Sequence, residues 1–202
     1  MKHVLLLGAG LVTRPLVSYL LDRGFKLTVA TRTISKAEAL VGDHPNGSAL
    51  ELNVNNDEAL EKLVSEADLT ISLLPYTYHV KVAGLCIKHK KHFVSTSYVS
   101  PEMNALDTPA REAGVVLLNE IGLDPGIDHM SAMKIIDAVH DKGGQIKSFR
   151  SYCGGLPAPE ANDNPFGYKF SWSPIGVLLA GTNDARFKEN GEIVKIPGAE
   201  LF

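Results

Sequence analysis

The stretch Val4–Thr13, VLLLGAGLVT, limits what this chain can become more than any other. An apolar run, Val4 to Leu7, enters a glycine turn, and the turn enters an amphipathic segment. That order is strand, tight turn, helix. A helix opening on such a turn directs its free backbone N–H groups, and the positive end of its dipole, at whatever lies over the turn. A diphosphate suits that position. Gly8 and Gly10 occupy the first two places of the dinucleotide fingerprint, and Thr13 stands at the third, where Gly or Ala is usual. The same turn also occurs as a plain strand–helix connection. Its place after the first strand favours nucleotide binding.

Composition narrows the class. With 202 residues, 45% hydrophobic and 21% charged, the chain can build a packed core of one domain and part of another. A net charge of −3 supplies no basic footprint, so no nucleic-acid partner is expected. No apolar run nears the roughly 20 residues that cross a bilayer, so no membrane partner is expected. The N-terminus reads directly into a strand, which predicts no signal or transit peptide. Cys86 and Cys153 have no metal-ligand spacing and form no disulfide framework, and the histidines are scattered. A reduced, cytoplasmic protein without a metal is the expectation.

Lys2–Leu7 reads as a strand buried on both faces. A helix to about Arg23 carries Leu16, Val17, Leu20 and Leu21 on one face. Pro15 lies in its first turn and Gly24 stops it. Lys26–Ala30 is the second strand, and its end selects the cofactor. An NAD site wants an Asp or Glu there to accept from the ribose hydroxyls. This chain has Thr31-Arg32-Thr33, followed by Ser35 and Lys36. A guanidinium and two hydroxyls suit a 2′-phosphate, so NADP (NADPH) is favoured over NAD. The alternative is that Arg32 stacks on adenine or lies on the surface.

Ala49–Val54 is the third strand, followed by a helix capped at Asn55 or Asn56, with capping-box spacing from Asn55 to Glu58. Asn53 and Val54 would lie beside the adenine. Asp68–Leu74 is the fourth strand, ended by Pro75. A helix to about His89 turns Val80, Ala83 and Ile87 inward and holds Cys86 as inert packing. His92–Ser97 is the fifth strand, leading to Tyr98. A helix with Leu106 and Ala110 ends at Gly114, and Val115–Asn119 is the sixth strand. The alternation predicts an α/β fold: a Rossmann-type, doubly wound parallel sheet over residues 1–123.

Beyond it, Asp124-Pro125 reads as the N-cap and first residue of a helix to about His140. Gln145–Cys153 alternates with period two and reads as a strand. Gly154–Pro159 is a rigid loop, Tyr168–Trp172 a short extended segment, and Ser173-Pro174 opens a helix to about Phe187. Glu192–Ile196 is a last strand. Residues 124–202 thus read as the start of an α+β substrate and dimerisation domain.

The chain resembles the saccharopine reductases, the NADP-dependent, glutamate-forming saccharopine dehydrogenases of the aminoadipate route of lysine metabolism. It also resembles the matching half of bifunctional aminoadipic semialdehyde synthases. The likeness rests on GAGLVTRP (Gly8–Pro15), ISLLPY (Ile71–Tyr76), TSYVSP (Thr96–Pro101), NEIGLDPGIDHM (Asn119–Met130), SYCGGLPAPE (Ser151–Glu160) and NPFGYKFSWSPIGVLL (Asn164–Leu179). Members of that family continue well past Phe202, so the chain reads as C-terminally truncated, without the family's later carboxylate-binding arginine. An incomplete second domain leaves apolar surface open and invites a homodimer.

The resemblance implies reduction of the imine of L-glutamate and 2-aminoadipate 6-semialdehyde to saccharopine, or the reverse. It implies cofactor contacts at Gly8, Gly10, Leu11, Val12 and Thr13, at Thr31, Arg32 and Thr33, and at Asn53 and Val54. Ser72, Leu73, Leu74, Thr96 and Ser97 complete that set. Proton transfer falls to Tyr98, Asp124 and Cys153, with Ser97 and Ser173 as further substrate contacts. Each has a plainer alternative: Tyr98 a hydrogen-bonded aromatic, Asp124 a cap, Cys153 strand packing. Asp128 and His129 read as structural. Three other readings stay open: an NAD-dependent saccharopine dehydrogenase, a carboxynorspermidine-type imine reductase, and a non-catalytic nucleotide-binding module.

Overall fold

A computed structural model describes residues 1–201. The chain forms two compact units: Met1–Ala9 with Thr13–Gly154, and Gly10–Val12 with the residues from Gly155 onward. In the first, parallel strands β1 (His3–Leu7), β2 (Lys26–Thr31), β3 (Gly47–Glu51), β4 (Leu69–Ser72), β5 (His92–Ser95) and β6 (Leu117–Leu118) form a six-stranded sheet in the order β3-β2-β1-β4-β5-β6. The order reverses between β1 and β4, which is where doubly wound sheets bind ligands.

The helices of this unit are α1 (Arg14–Asp22), α2 (Ile34–Val41), α3 (Asp57–Glu66), α4 (His79–Lys88), α5 (Pro101–Asn104), α6 (Asp107–Ala113) and α7 (Ile127–His140). Alternate residues of β1 serve opposite faces of the sheet. Leu5 and Leu7 pack with Leu60 and Val64 of α3 and with Val82, Ala83 and Cys86 of α4. Val4 and Leu6 pack with Val17, Leu20 and Leu21 of α1 and with Ala37 and Val41 of α2. Burial on both faces is why β1 is apolar throughout. No helix among the described residues is long and apolar enough to cross a membrane.

Several boundaries differ from the sequence reading. β3 is Gly47–Glu51, not Ala49–Val54, because its ladder ends where Glu51 meets Thr31 at the end of β2. Leu52 and Val54 lie beyond the ladder but are buried. Of the two caps foreseen for α3, Asn56 is the one used, accepting from the Ala59 N–H at 3.1 Å, so the Asn55–Glu58 capping-box spacing is not the one that operates. The buried face of α4 is His79, Val82, Ala83 and Cys86 rather than Val80, Ala83 and Ile87. The helix foreseen before Gly114 is split into α5 and α6, and α2 occupies a stretch where no helix was foreseen.

Asp124 is not a helix cap. The Gly122 N–H donates to Pro125 O at 2.8 Å, and the Ile127 N–H returns to Gly122 O at 3.0 Å, closing a loop over these residues. Gly126, at φ 150°, is the N-cap, and α7 begins at Ile127. A side chain at Gly126 would strike the Gly122 backbone. The Asp124–Pro125 peptide bond is cis.

Residues 145–153 form no strand. A period-two pattern makes a strand only with a hydrogen-bonded neighbour, and they pair with none among the described residues.

In the second unit, helix α8 (Pro174–Ala180) is capped by Ser173, whose Oγ accepts from the Gly176 N–H at 3.2 Å. It ends well short of Phe187. Strand β7 (Ala185–Glu189) follows and pairs antiparallel with β8 (Glu192–Ile196) across an Asn190-Gly191 turn, both of whose residues have positive φ. That is the type I′ pattern of a two-residue hairpin.

Candidate functional site

Strand register builds the first part of the site. Leu7 pairs with both Ala30 and Ser72, and Ser72 pairs with Ser95. The residues that follow these four, Gly8, Thr31, Leu73 and Thr96, therefore share the carboxyl edge of the sheet. Gly8 sits at φ 108° and its N–H donates to Ala30 O at 2.9 Å. A Cβ there would lie 3.0 Å from the Leu73 carbonyl oxygen, so the turn is closed to any larger residue.

Thr13 precedes α1 but gives it no side-chain cap, which leaves the first backbone N–H groups of that helix without a side-chain acceptor. Thr13 Oγ1 is itself buried with no hydrogen-bond partner among the described residues. Leu11 and Val12 are exposed. Arg32 and Thr33 are exposed between β2 and α2. This donor set fits a dinucleotide phosphate: a turn with no room for a side chain, an uncapped helix start, and a guanidinium where an NAD site carries a carboxylate. Asn53 is engaged by its own chain, accepting from the Asn55 N–H at 3.0 Å. Val54 and Ser72 are buried, while Leu73 and Leu74 are partly exposed.

The second part lies on the loops after β5 and β6. The Tyr98 hydroxyl donates to Asp124 Oδ1 at 3.0 Å. Desolvation, then the hydrogen bond to Asp124 and the carboxylates around it, push the Tyr98 phenol up to about 12. Desolvation, then the charges of Asp124 and Asp128, push the Cys153 thiol up as well. Tyr98 and Asp124, 26 residues apart in sequence, are thus brought together, and Cys153 feels the same carboxylate.

Asp128 Oδ1 accepts from the Gly126 N–H at 2.9 Å and pairs with His129 Nδ1 at 2.8 Å. Desolvation raises the Asp128 carboxyl, but the hydrogen bonds from His129 and Gly126 outweigh it and hold the group below its ordinary range. Asp124, Asp128 and His129 have ligand atoms within 4.8 Å of one another, a closeness to which the Asp128–His129 pair contributes. Ser173 belongs to the second unit, where it caps α8.

Two groups at this edge have contacts that the sequence does not foretell, although Tyr76–His79 follows the fourth strand and so reads as lying at the ligand edge. His79 bridges Ser72 and Ser97, with contacts of 3.0 and 2.9 Å. Glu120, at φ 62°, accepts from the Val99 N–H through its carboxylate at 3.1 Å, and its own N–H donates to Ser97 O at 3.2 Å. The only sequence signal for either is position at a strand end.

Fold and site define a Rossmann-type dinucleotide-binding protein. Residues 4–118 match the family model "Saccharopine dehydrogenase NADP binding domain", and residues 122–202 match "Saccharopine dehydrogenase C-terminal domain". The chain belongs to the saccharopine dehydrogenase family. It is 57% identical to saccharopine dehydrogenase [NADP(+), L-glutamate-forming] of Schizosaccharomyces pombe, over 100% of this chain and 45% of that protein. It is 44% identical to the mitochondrial alpha-aminoadipic semialdehyde synthase of Bos taurus, over 100% of this chain and 22% of that protein. The apo structure of the L-Glu-forming saccharopine dehydrogenase from Saccharomyces cerevisiae superposes with a TM-score of 0.86 at 48% identity, covering 100% of this chain and 45% of that one. The chain spans less than half the length of these relatives.

Proposed function

We propose that this chain binds NADP(H) and takes part in reducing the imine of L-glutamate and 2-aminoadipate 6-semialdehyde to saccharopine, or in the reverse reaction. The observation that carries this reading is the Tyr98–Asp124–Cys153 cluster beside a sheet edge built for a dinucleotide. Gly8, Gly10, Leu11, Val12 and Thr13 would face the diphosphate, with Thr31, Arg32 and Thr33 toward the 2′-phosphate. Asn53 and Val54 would flank the adenine, and Ser72, Leu73, Leu74, Thr96 and Ser97 would line the rest of the edge. Bound NADPH supplies a hydride; the chain supplies orientation and proton handling.

Imine formation and breakdown move protons on and off nitrogen and oxygen, and a positioned acid–base group accelerates such steps. With its phenol at about 12, Tyr98 is protonated at neutral pH. The Cys153 thiol, also raised, is protonated too. Asp124 is then the acceptor of the Tyr98 hydrogen bond. Ser97 and Ser173 would contact substrate oxygens. The division into a nucleotide domain over 1–123 and part of a substrate domain over 124–202 is supported by the two family models, which meet between 118 and 122. The exposed apolar side chains Ile127, Met130 and Ile135 of α7 support a homodimer. The free thiols Cys86 and Cys153 support a reducing compartment such as the cytoplasm.

Spectrophotometric NADPH formation from NADP and saccharopine tests this reading. Turnover is expected, and Asp124→Asn is expected to slow it by about 10²-fold or more. The unpaired stretch 145–153 favours one second reading, a nucleotide-binding module without activity of its own. NADPH binding without turnover would select it, and failure to bind NADPH would reject both.

A further inference from the structure

His79 opens α4 and is 3% exposed. Its ring spans the ends of two strands: Nδ1 lies 3.0 Å from Ser72 Oγ, and Nε2 lies 2.9 Å from Ser97 Oγ. Phe93 meets the ring edge-on at 6.1 Å. Burial pulls the imidazole down to about 4, so it is neutral through the physiological range. A neutral imidazole has one N–H and one bare nitrogen, so it donates to one serine and accepts from the other.

The two serines are not equivalent. Ser72 is fully buried, and His79 is the one hydrogen-bond partner of its hydroxyl among the described residues. Were the proton on Nδ1, Ser72 would accept from His79 and its own O–H would be buried without an acceptor. Such a group bears its full desolvation cost. With the proton on Nε2, Ser72 donates to Nδ1 and Nε2–H donates to Ser97 Oγ, so every group is satisfied. Ser97 is partly exposed, and its remaining proton is free to point outward.

We propose that Ser72 and His79 form a proton-ordered relay that fixes Ser97 as a hydrogen-bond donor to a ligand oxygen at the carboxyl edge of the sheet. His79 is then a positioning residue, acting through Ser97. The matching ligand group is a carbonyl or carboxylate oxygen, from either the nicotinamide carboxamide or a substrate carboxylate. In the opposite tautomer the Ser97 proton would be spent on Nε2, and Ser97 could offer a ligand only a lone pair. This proposal rests on Ser97 being a ligand contact.

Long-range ¹H–¹⁵N spectra of the histidine-labelled chain read the tautomer directly, with the His79 signal identified by its loss in His79→Gln. The proton is expected on Nε2, with Nδ1 bare, at neutral pH. A proton on Nδ1, or on both nitrogens, overturns the relay even if Ser97→Ala still weakens ligand binding. NADPH and saccharopine titrations of Ser97→Ala, His79→Phe and the double variant then test whether His79 acts through Ser97. Each single change is expected to weaken the ligand that takes the hydrogen bond by about tenfold, and the double variant to be no weaker than Ser97→Ala. A loss confined to NADPH assigns the oxygen to the carboxamide, and one confined to saccharopine assigns it to the substrate. Losses that add overturn the coupling. Unchanged affinities for both ligands in Ser97→Ala, with the proton on Nε2, instead remove Ser97 from the binding site and the proposal with it. Where His79→Phe does not fold, the tautomer of the unaltered chain decides.

Discussion

The Tyr98 hydroxyl reaches Asp124 Oδ1 across 3.0 Å, tying the loop after β5 to the loop before α7. In that pair the phenol, raised to about 12, keeps its proton and the carboxylate accepts its hydrogen bond. Tyr98→Phe removes the donor and keeps the ring. It is expected to slow saccharopine-dependent NADPH formation by about 10²-fold and leave NADPH affinity unchanged. Stopped-flow kinetics with a parallel NADPH titration checks this; an equal loss in both would make Tyr98 a cofactor contact.

The same carboxylate also acts on Cys153. Desolvation and then the Asp124 and Asp128 charges raise the thiol, so little thiolate is present near neutral pH. Asp124→Asn removes one of those charges and is expected to lower the thiol pKa and speed alkylation by iodoacetamide. Cys86, buried and raised to about 11, is expected not to react in the folded chain. The pH profile of alkylation, with mass mapping of the modified site, reads both.

Gly8 stands where no side chain fits. Its φ of 108° and a Cβ position 3.0 Å from Leu73 O make Gly8→Ala costly in the folded chain. A loss of about 1–3 kcal/mol is expected in urea unfolding, together with loss of NADPH binding. Gly24→Ala, also at positive φ (76°) but with open space around it, is expected to cost stability while keeping the cofactor.

His79 links stability to pH. Its pKa in the folded chain is about 4, against an ordinary 6.5, so between these values the unfolded chain binds more protons. Stability from this group is therefore complete above about pH 6.5 and is lost as pH falls toward 4, by an amount of order 3 kcal/mol. Urea unfolding across that window is expected to show a steeper acid loss for the unaltered chain than for His79→Gln. Parallel curves would mean that His79 is not buried as a neutral ring.

Most of the sheet was legible because strands buried on both faces must be apolar, and Val4–Leu7, Leu27–Ala30 and Leu69–Ile71 are nearly so. The glycine turn was legible because its geometry is local. Asp124 was misread as a cap because Asp-Pro is a good local start signal, while the bonds from Gly122 to Pro125 and Ile127 move the helix start to Ile127. Gln145–Cys153 has the alternation of a strand but no partner among the described residues. The β7–β8 hairpin was legible in principle: Asn190-Gly191 is a strong turn signal, but a helix read to Phe187 runs into the first half of β7. The Tyr98–Asp124 bond and the Ser72–His79–Ser97 bridge join residues from different loops, so spacing alone carries no trace of them.

The central claim is that the glycine turn and Arg32 together form an NADP site. Fluorescence titration of the chain and of Arg32→Asp with NADPH and NADH tests it most directly. The unaltered chain is expected to prefer NADPH, and Arg32→Asp to lose about tenfold to hundredfold in NADPH affinity with little change for NADH. Equal losses for both cofactors, or no preference in the unaltered chain, would contradict it.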